Sequence, residues 1–237
     1  MANLERRILL VGGEEFRPAA VGMDRHLLQS TGKDAPRVAI IPTAAARENP
    51  QLAASNGVRH FNGLGADAYG VDVIQRADAE NPRIAAQLDG ADVIYFTGGS
   101  PEHLHSVLAG SPLLDAVVAA NTAGTIWAGS SAGAMVLGAV MRRPSSGSPL
   151  SPALNVVPNV MTLPHHERSD PEAVLSQLSG REHTGLTVLG IDGGSGVLLK
   201  PGGATALGGG NVTVYRDGSW KRYEGGEAIP GLTVDGA

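Results

Sequence analysis

Residues 127–138 read WAGSSAGAMVLG, an apolar run that closes on a serine between glycines and opens into small residues. The segment GSSAG fits the pattern G-x-S-x-G, in which a serine sits on a sharp strand-to-helix turn with its oxygen projecting out of a sheet. Gly129 and Gly133 permit such a turn and a close approach of helix to backbone. In that geometry the next amide, Ala132, points to where an oxyanion forms, and the helix N-terminus adds partial positive charge. The chemistry this arrangement suits is attack by Ser131 on a carbonyl. The same residues also suit a plain serine N-cap in a strand–helix turn.

A second glycine turn, FTGGSPEHL at 96–104, also follows an apolar run. Its Gly98–Gly99 amides could donate to the same oxyanion; otherwise it is an ordinary loop with Ser100 capping a helix begun by Pro101. A serine nucleophile needs a base. Of the seven histidines, only His165 and His166 directly follow an apolar run, NVMTLP. Adjacent side chains on an extended segment point opposite ways, so one of the two faces a cleft and the pair does not make two ligands of one metal.

The elements that must position these residues can be read from hydrophobic patterning. Short runs rich in Val, Ile and Leu recur at 7–13, 37–43, 68–74, 91–99, 124–130, 159–165, 186–192 and 196–200. Near-continuous apolar runs of this length predict strands buried on both faces of a largely parallel sheet. Helical patterns lie between them, clearest at Asn49–Leu64, Asn81–Leu88, Pro101–Ala120, Ser131–Val140 and Asp170–Leu178. Near the C-terminus, NVTVY and SWKRY flank Asp217-Gly218, which predicts an antiparallel hairpin extending one edge of the sheet. The expected fold is α/β, a three-layer sandwich with a mostly parallel central sheet and a C-terminal antiparallel hairpin, forming one domain over 1–237. In open sheets of this kind, sites form outside the carboxyl ends of the strands, where Ser131 falls.

Composition narrows the functional classes. A net charge of −5 with no basic stripe argues against a nucleic-acid partner. The absence of cysteine excludes disulfides, zinc–thiolate centres and cysteine nucleophiles. No stretch approaches the length of an apolar membrane span, and the N-terminus lacks a signal-peptide pattern, so a cytoplasmic protein without a membrane partner is expected.

Taken together, LLVGGEE, VAIIPTA, VIYFTGGSP, GSSAGAMVLG, LPHH, VLGIDGGSGVLL and GGGNVTVY resemble peptidase family S51, which includes dipeptidase E and cyanophycinase, nearly end to end. The resemblance implies a class I glutamine-amidotransferase-like fold and a Ser–His hydrolase. It places Ser131 as nucleophile, His165 at the family's histidine position, and the amides of Gly99 and Ala132 in the oxyanion hole. It implies a small peptide substrate and no metal or organic cofactor; self-association into a homo-oligomer stays open. Two other readings compete. A G-x-S-x-G esterase of the α/β-hydrolase fold usually separates serine and histidine by far more than the 34 positions found here. An amidotransferase-like domain that had lost its acid would bind a small acidic ligand or partner without turnover.

The departures from the family are specific. Family members place an acidic residue 15 to 20 positions after the serine, yet 132–152 holds no Asp or Glu. Ser100-Pro101 stands where Asn or Gln is usual, and Gly193 where an acid is expected after Ile191-Asp192. Glu167, two residues beyond His165 and on the same face if the strand continues, is the first candidate to orient the histidine, with Asp170 the other acid nearest in sequence. Glu14 and Glu15, which follow the first strand, come next. Arg142 and Arg143 occupy the region of the missing acid. They would favour substrates with a free carboxylate, unless they are merely two solvated arginines after a helix C-terminus.

Overall fold

The computed structural model describes residues 5–142, 150–180 and 184–236. In chain order the elements are β1 (Ile8–Val11), α1 (Val21–Ser30), β2 (Arg37–Ile41), α2 (Pro50–Gly63), β3 (Asp67–Gly70), α3 (Arg76–Ala79) and α4 (Pro82–Ala85). Next come β4 (Val93–Phe96), α5 (Pro101–Leu108), α6 (Pro112–Thr122), β5 (Ile126–Ser130), α7 (Ala132–Met135), β6 (Val140–Arg142) and β7 (Leu150–Pro152). The chain continues with β8 (Val160–Pro164), α8 (Pro171–Gln177), β9 (Thr187–Ile191), β10 (Ser195–Lys200), β11 (Gly203–Gly208), β12 (Asn211–Arg216), β13 (Ser219–Glu224) and β14 (Ala228–Ile229).

The central sheet runs β14-β11-β10-β1-β5-β4-β2-β3. Strands β1, β5, β4, β2 and β3 are mutually parallel, while β10, β11 and β14 continue one side antiparallel. This is the mixed α/β architecture the apolar runs predict. Strand alternation sorts the core. Leu9, Val11, Ile40 and Tyr95 face Met23 and Leu27 of α1 and Phe61 of α2. Ile8, Leu10, Ile94 and Trp127 face Leu104 and Val107 of α5 and Leu113 and Val117 of α6. Each aliphatic side chain buried this way contributes about 1.5–3 kcal/mol of transfer free energy.

Three expectations are corrected. The C-terminal hairpin forms, but not on the central sheet. It is the edge of a second sheet ordered β13-β12-β9-β8, so NVMTLP and LTVLGI also leave the central sheet. Val160, Leu189, Ile191 and Val212 press this second sheet onto the central core. The predicted helix over 101–120 is two helices. Gly110 turns left-handed at φ +63, Ser111 caps the amide of Leu114, and Pro112 starts the new helix, a combination that ends one helix and begins another. The predicted elbow helix to Val140 stops after Met135. Gly138 lies against the Val160 carbonyl, where a Cβ would come within 2.5 Å, and the chain turns into β6. Helix α1 had no expectation, because VGMDRHLLQS mixes Gly22 with charged residues. Among the described residues, no helix is long and apolar enough to cross a membrane.

Candidate active site

Register brings three strand ends together. Val11 of β1 pairs with Ser130 of β5, and Phe96 of β4 pairs with Gly129. The loops after these strands, 12–17, 97–100 and the turn at Ser131, therefore meet at one carboxyl edge of the sheet. A fourth segment joins from the second sheet, where the His165 amide donates to the Gly12 carbonyl at 2.8 Å.

Ser131 is held at φ +49, ψ −108, outside the regions a non-glycine residue favours. Such conformations cost on the order of 1–3 kcal/mol and persist only where surrounding structure fixes them. Here the Ser131 amide donates to the Val11 carbonyl at 2.9 Å, and Gly129 allows the turn to pack on the Gly133 backbone. The Ser131 hydroxyl lies 3.1 Å from His165 Nε2, within the range for a nucleophile donating to its base. The His165 ring rests on the backbone of Gly13, whose φ is +115 and whose hypothetical Cβ would sit 2.2 Å from Cε1.

The amides of Gly99 and Ala132 have no backbone or side-chain acceptor among the described residues. Gly98, expected as an alternative donor, instead gives its N–H to Glu15 Oε1 at 2.8 Å. Gly99, at φ +136, lies against the Ala44 carbonyl, and the Ser100 amide donates to that same carbonyl at 2.8 Å.

The carboxylates lie differently from the strand-alternation expectation. β8 ends at Pro164, His165 is left-handed at φ +54, ψ +46, and residues 166–168 form a 3-10 turn. Glu167 is therefore not on a continuing strand with His165. Its Oε2 accepts the Gly193 amide at 3.0 Å. Hydrogen bonds from its own backbone and from Gly193 hold its pKa below the ordinary value, with the nearby His165 adding to the effect. No carboxylate is hydrogen-bonded to His165 among the described residues. Glu14, at φ +56, also lies against Gly193, where a Cβ would come within 2.8 Å of its Cγ. Both Glu15 oxygens are engaged, Oε1 by Gly98 and Oε2 by the Ser130 hydroxyl at 2.8 Å. Asp170 caps α8 through the Glu172 amide.

His166 is buried, with Nε2 2.7 Å from the Tyr215 hydroxyl. Burial lowers the His166 pKa and raises that of Tyr215 to about 12, so the pair is a hydrogen bond between a neutral imidazole and a neutral phenol, its direction set by the imidazole tautomer. A group that stays neutral when folded but protonates when unfolded makes stability rise with pH up to its unfolded pKa, about 6.5. Urea unfolding should therefore show less loss of stability between about pH 7.5 and about pH 5 for His166→Gln than for wild type. An equal loss in both would remove His166 as the titrating group.

A cavity of about 720 Å³ opens over Ser131 and His165. Arg17 and Arg59 supply its cations, and Glu14, Glu15 and Glu48 its anions. Neither arginine is in an ion pair among the described residues. Arg142, expected to line the substrate site, ends β6 and is not among the residues lining the cavity. With α7 so short, it does not follow a helix C-terminus either. Arg143 lies outside the described residues. Arg17 and Arg59 were missed because they follow no motif; α2 brings Arg59 beside the loop after β1 only in the folded chain.

The family model of peptidase family S51 matches residues 8–207. The chain belongs to peptidase family S51. It is accordingly a serine-type peptidase, with a peptide as substrate. It is 26% identical over 220 residues to the cyanophycinase of Trichormus variabilis, covering 87% of this chain and 72% of that protein. With the cyanophycinase of Geminocystis herdmanii it shares 29% identity over 232 residues, 93% of this chain and 84% of the other. The crystal structure of a peptidase from an acI-B1 Actinobacterium superposes with a TM-score of 0.82 at 26% identity, covering 95% of this chain and 96% of that one. S51 membership disfavours the α/β-hydrolase esterase alternative.

Proposed function

We propose that Ser131 and His165 form the catalytic pair of a dipeptidase or exopeptidase, with the Gly99 and Ala132 amides as oxyanion hole. The observation that carries this reading is the 3.1 Å contact between Ser131 Oγ and His165 Nε2 at a strained strand end. His165 Nε2 takes the hydroxyl proton as Oγ bonds to the peptide carbonyl carbon. The carbonyl oxygen becomes an oxyanion facing the two free amides. The same proton passes to the leaving amine as the C–N bond breaks, and water resolves the acyl-enzyme by the reverse sequence. Glu167 supports the imidazolium through space rather than by a hydrogen bond, which makes the centre a dyad with an electrostatic third member.

Arg17 and Arg59 give the cavity its affinity for a carboxylate near the scissile bond, the role first expected of Arg142 and Arg143. A cavity of about 720 Å³ suits small peptides, and the enzyme acts as one cytoplasmic domain over 1–237. A dipeptide panel tests the specificity. Acidic dipeptides should exceed neutral ones in kcat/KM by about tenfold or more, and Arg59→Ala should narrow that gap mainly through KM. Equal kcat/KM for acidic and neutral dipeptides would refute the carboxylate preference.

A further inference from the structure

We propose that Glu15 is the positioning residue that locks the oxyanion loop to the nucleophile turn. The inference rests on the Ser131 reading above. One carboxylate bridges the two halves of the site: Oε1 accepts the Gly98 amide and Oε2 accepts the Ser130 hydroxyl, both at 2.8 Å. Gly98 immediately precedes the oxyanion donor Gly99, and Ser130 immediately precedes Ser131. Fixing these two neighbours fixes the separation of donor and nucleophile. The contact is tight, since a Cβ on Gly98 would come within 2.9 Å of Glu15 Oε1 and 3.3 Å of the Ser131 Cβ. From its far side the loop is held by Ala44, whose carbonyl accepts the Ser100 amide and abuts Gly99. The loop is thus clamped between a carbonyl and a carboxylate, with no freedom to drift.

The backbone around Glu15 is built for this placement. Both neighbours, Glu14 and Phe16, have positive φ, at 56° and 64°. A bulky residue such as phenylalanine adopts that region only under constraint. The constraint is visible. The Phe16 ring packs at 5.3 Å from Tyr95, 5.6 Å from His60 and 6.0 Å from Phe61, and Gly57 leaves room for its tip. Aromatic packing under the loop holds the strained turn, and the turn aims Glu15 between the two strand ends. Glu15 bonds Gly98 and Ser130, and no hydrogen bond joins it to His165 among the described residues, so it serves the geometry of the two turns.

Three variants and two readouts test this: the rate at which a fluorophosphonate labels Ser131, and amide hydrogen exchange over 97–101. Glu15→Ala should slow labelling on the order of 10²-fold, the scale of one misplaced oxyanion donor. It should also speed exchange of the Gly98 amide by about tenfold or more. Glu15→Gln should label within about fivefold of wild type. Its amide oxygen can accept the Gly98 N–H while its amino group donates to Ser130 Oγ, preserving both links. Ser130→Ala, which leaves the Gly98 link intact, should fall between the two and covers the case in which Glu15→Ala does not fold. Glu15→Gln as slow as Glu15→Ala would overturn the proposal, because the charge itself would then be required. Glu15→Ala within threefold of wild type in both readouts would overturn it too. Wild type that fails to label would instead refute the nucleophile reading, while Gly98 exchange would still decide the role of Glu15.

Discussion

Ser131→Ala should lower dipeptide hydrolysis by roughly 10⁴-fold or more while leaving Tm within about 2 °C of wild type. The two halves of this expectation have separate causes. The Ser131 side chain is half-exposed in the cavity, and among the described residues its hydroxyl hydrogen-bonds only His165. Alanine keeps the Cβ, so the strained φ of +49 costs the same in both proteins and little packing is lost. What disappears is the covalent route, leaving only whatever rate the oxyanion amides and substrate binding supply to a water molecule. Activity of Ser131→Ala within tenfold of wild type would exclude Ser131 as nucleophile. A large drop in Tm would mean that the hydroxyl holds the turn rather than the chemistry.

The second large effect should come from a glycine that does not line the cavity. Gly13→Ala places a methyl group 2.2 Å from His165 Cε1 and 2.6 Å from Nε2, at a φ of +115 that alanine resists. The imidazole must move, and a base displaced by about 1 Å costs on the order of 10²-fold in rate. With backbone strain added, kcat should fall by 10² to 10³ and stability by about 1–3 kcal/mol. Gly22→Ala is the matched control, since nothing lies within 4 Å of the added carbon on α1 and helix propensity favours alanine. It should leave kcat unchanged and raise Tm slightly. Full activity in Gly13→Ala would show that His165 does not work from the position the structure gives it.

The parts of this molecule legible from sequence are those set by local chemistry. The turn at Ser131 could be read because two glycines follow an apolar run and small residues come next. Strands such as RVAII and VIYF could be read because parallel strands buried on both faces carry no polar interruption. The membership of β8 and β9 in a second sheet was not legible, because it depends on long-range pairing of β9 with β12 that no local pattern encodes. The position of Glu167 departs from strand alternation for a narrower reason. Alternation presumes an extended chain, and the single left-handed residue His165 ends it one position too early. The split between α5 and α6 was written in Gly110-Ser111-Pro112, but the apolar spacing across it masked the break. Glu15 is legible as a carboxylate following the first strand. Its bridging role depends on β1, β4 and β5 ending side by side.

The most direct test of the central claim is to treat the wild-type enzyme with a fluorophosphonate and map the adduct by mass spectrometry while following dipeptide hydrolysis. The structure predicts one phosphonyl group per chain, on Ser131, with activity lost in proportion to labelling. It also predicts that His165→Ala labels far more slowly, because the hydroxyl then lacks the acceptor 3.1 Å away. An adduct on another residue, or full hydrolysis by a chain already labelled at Ser131, would contradict it.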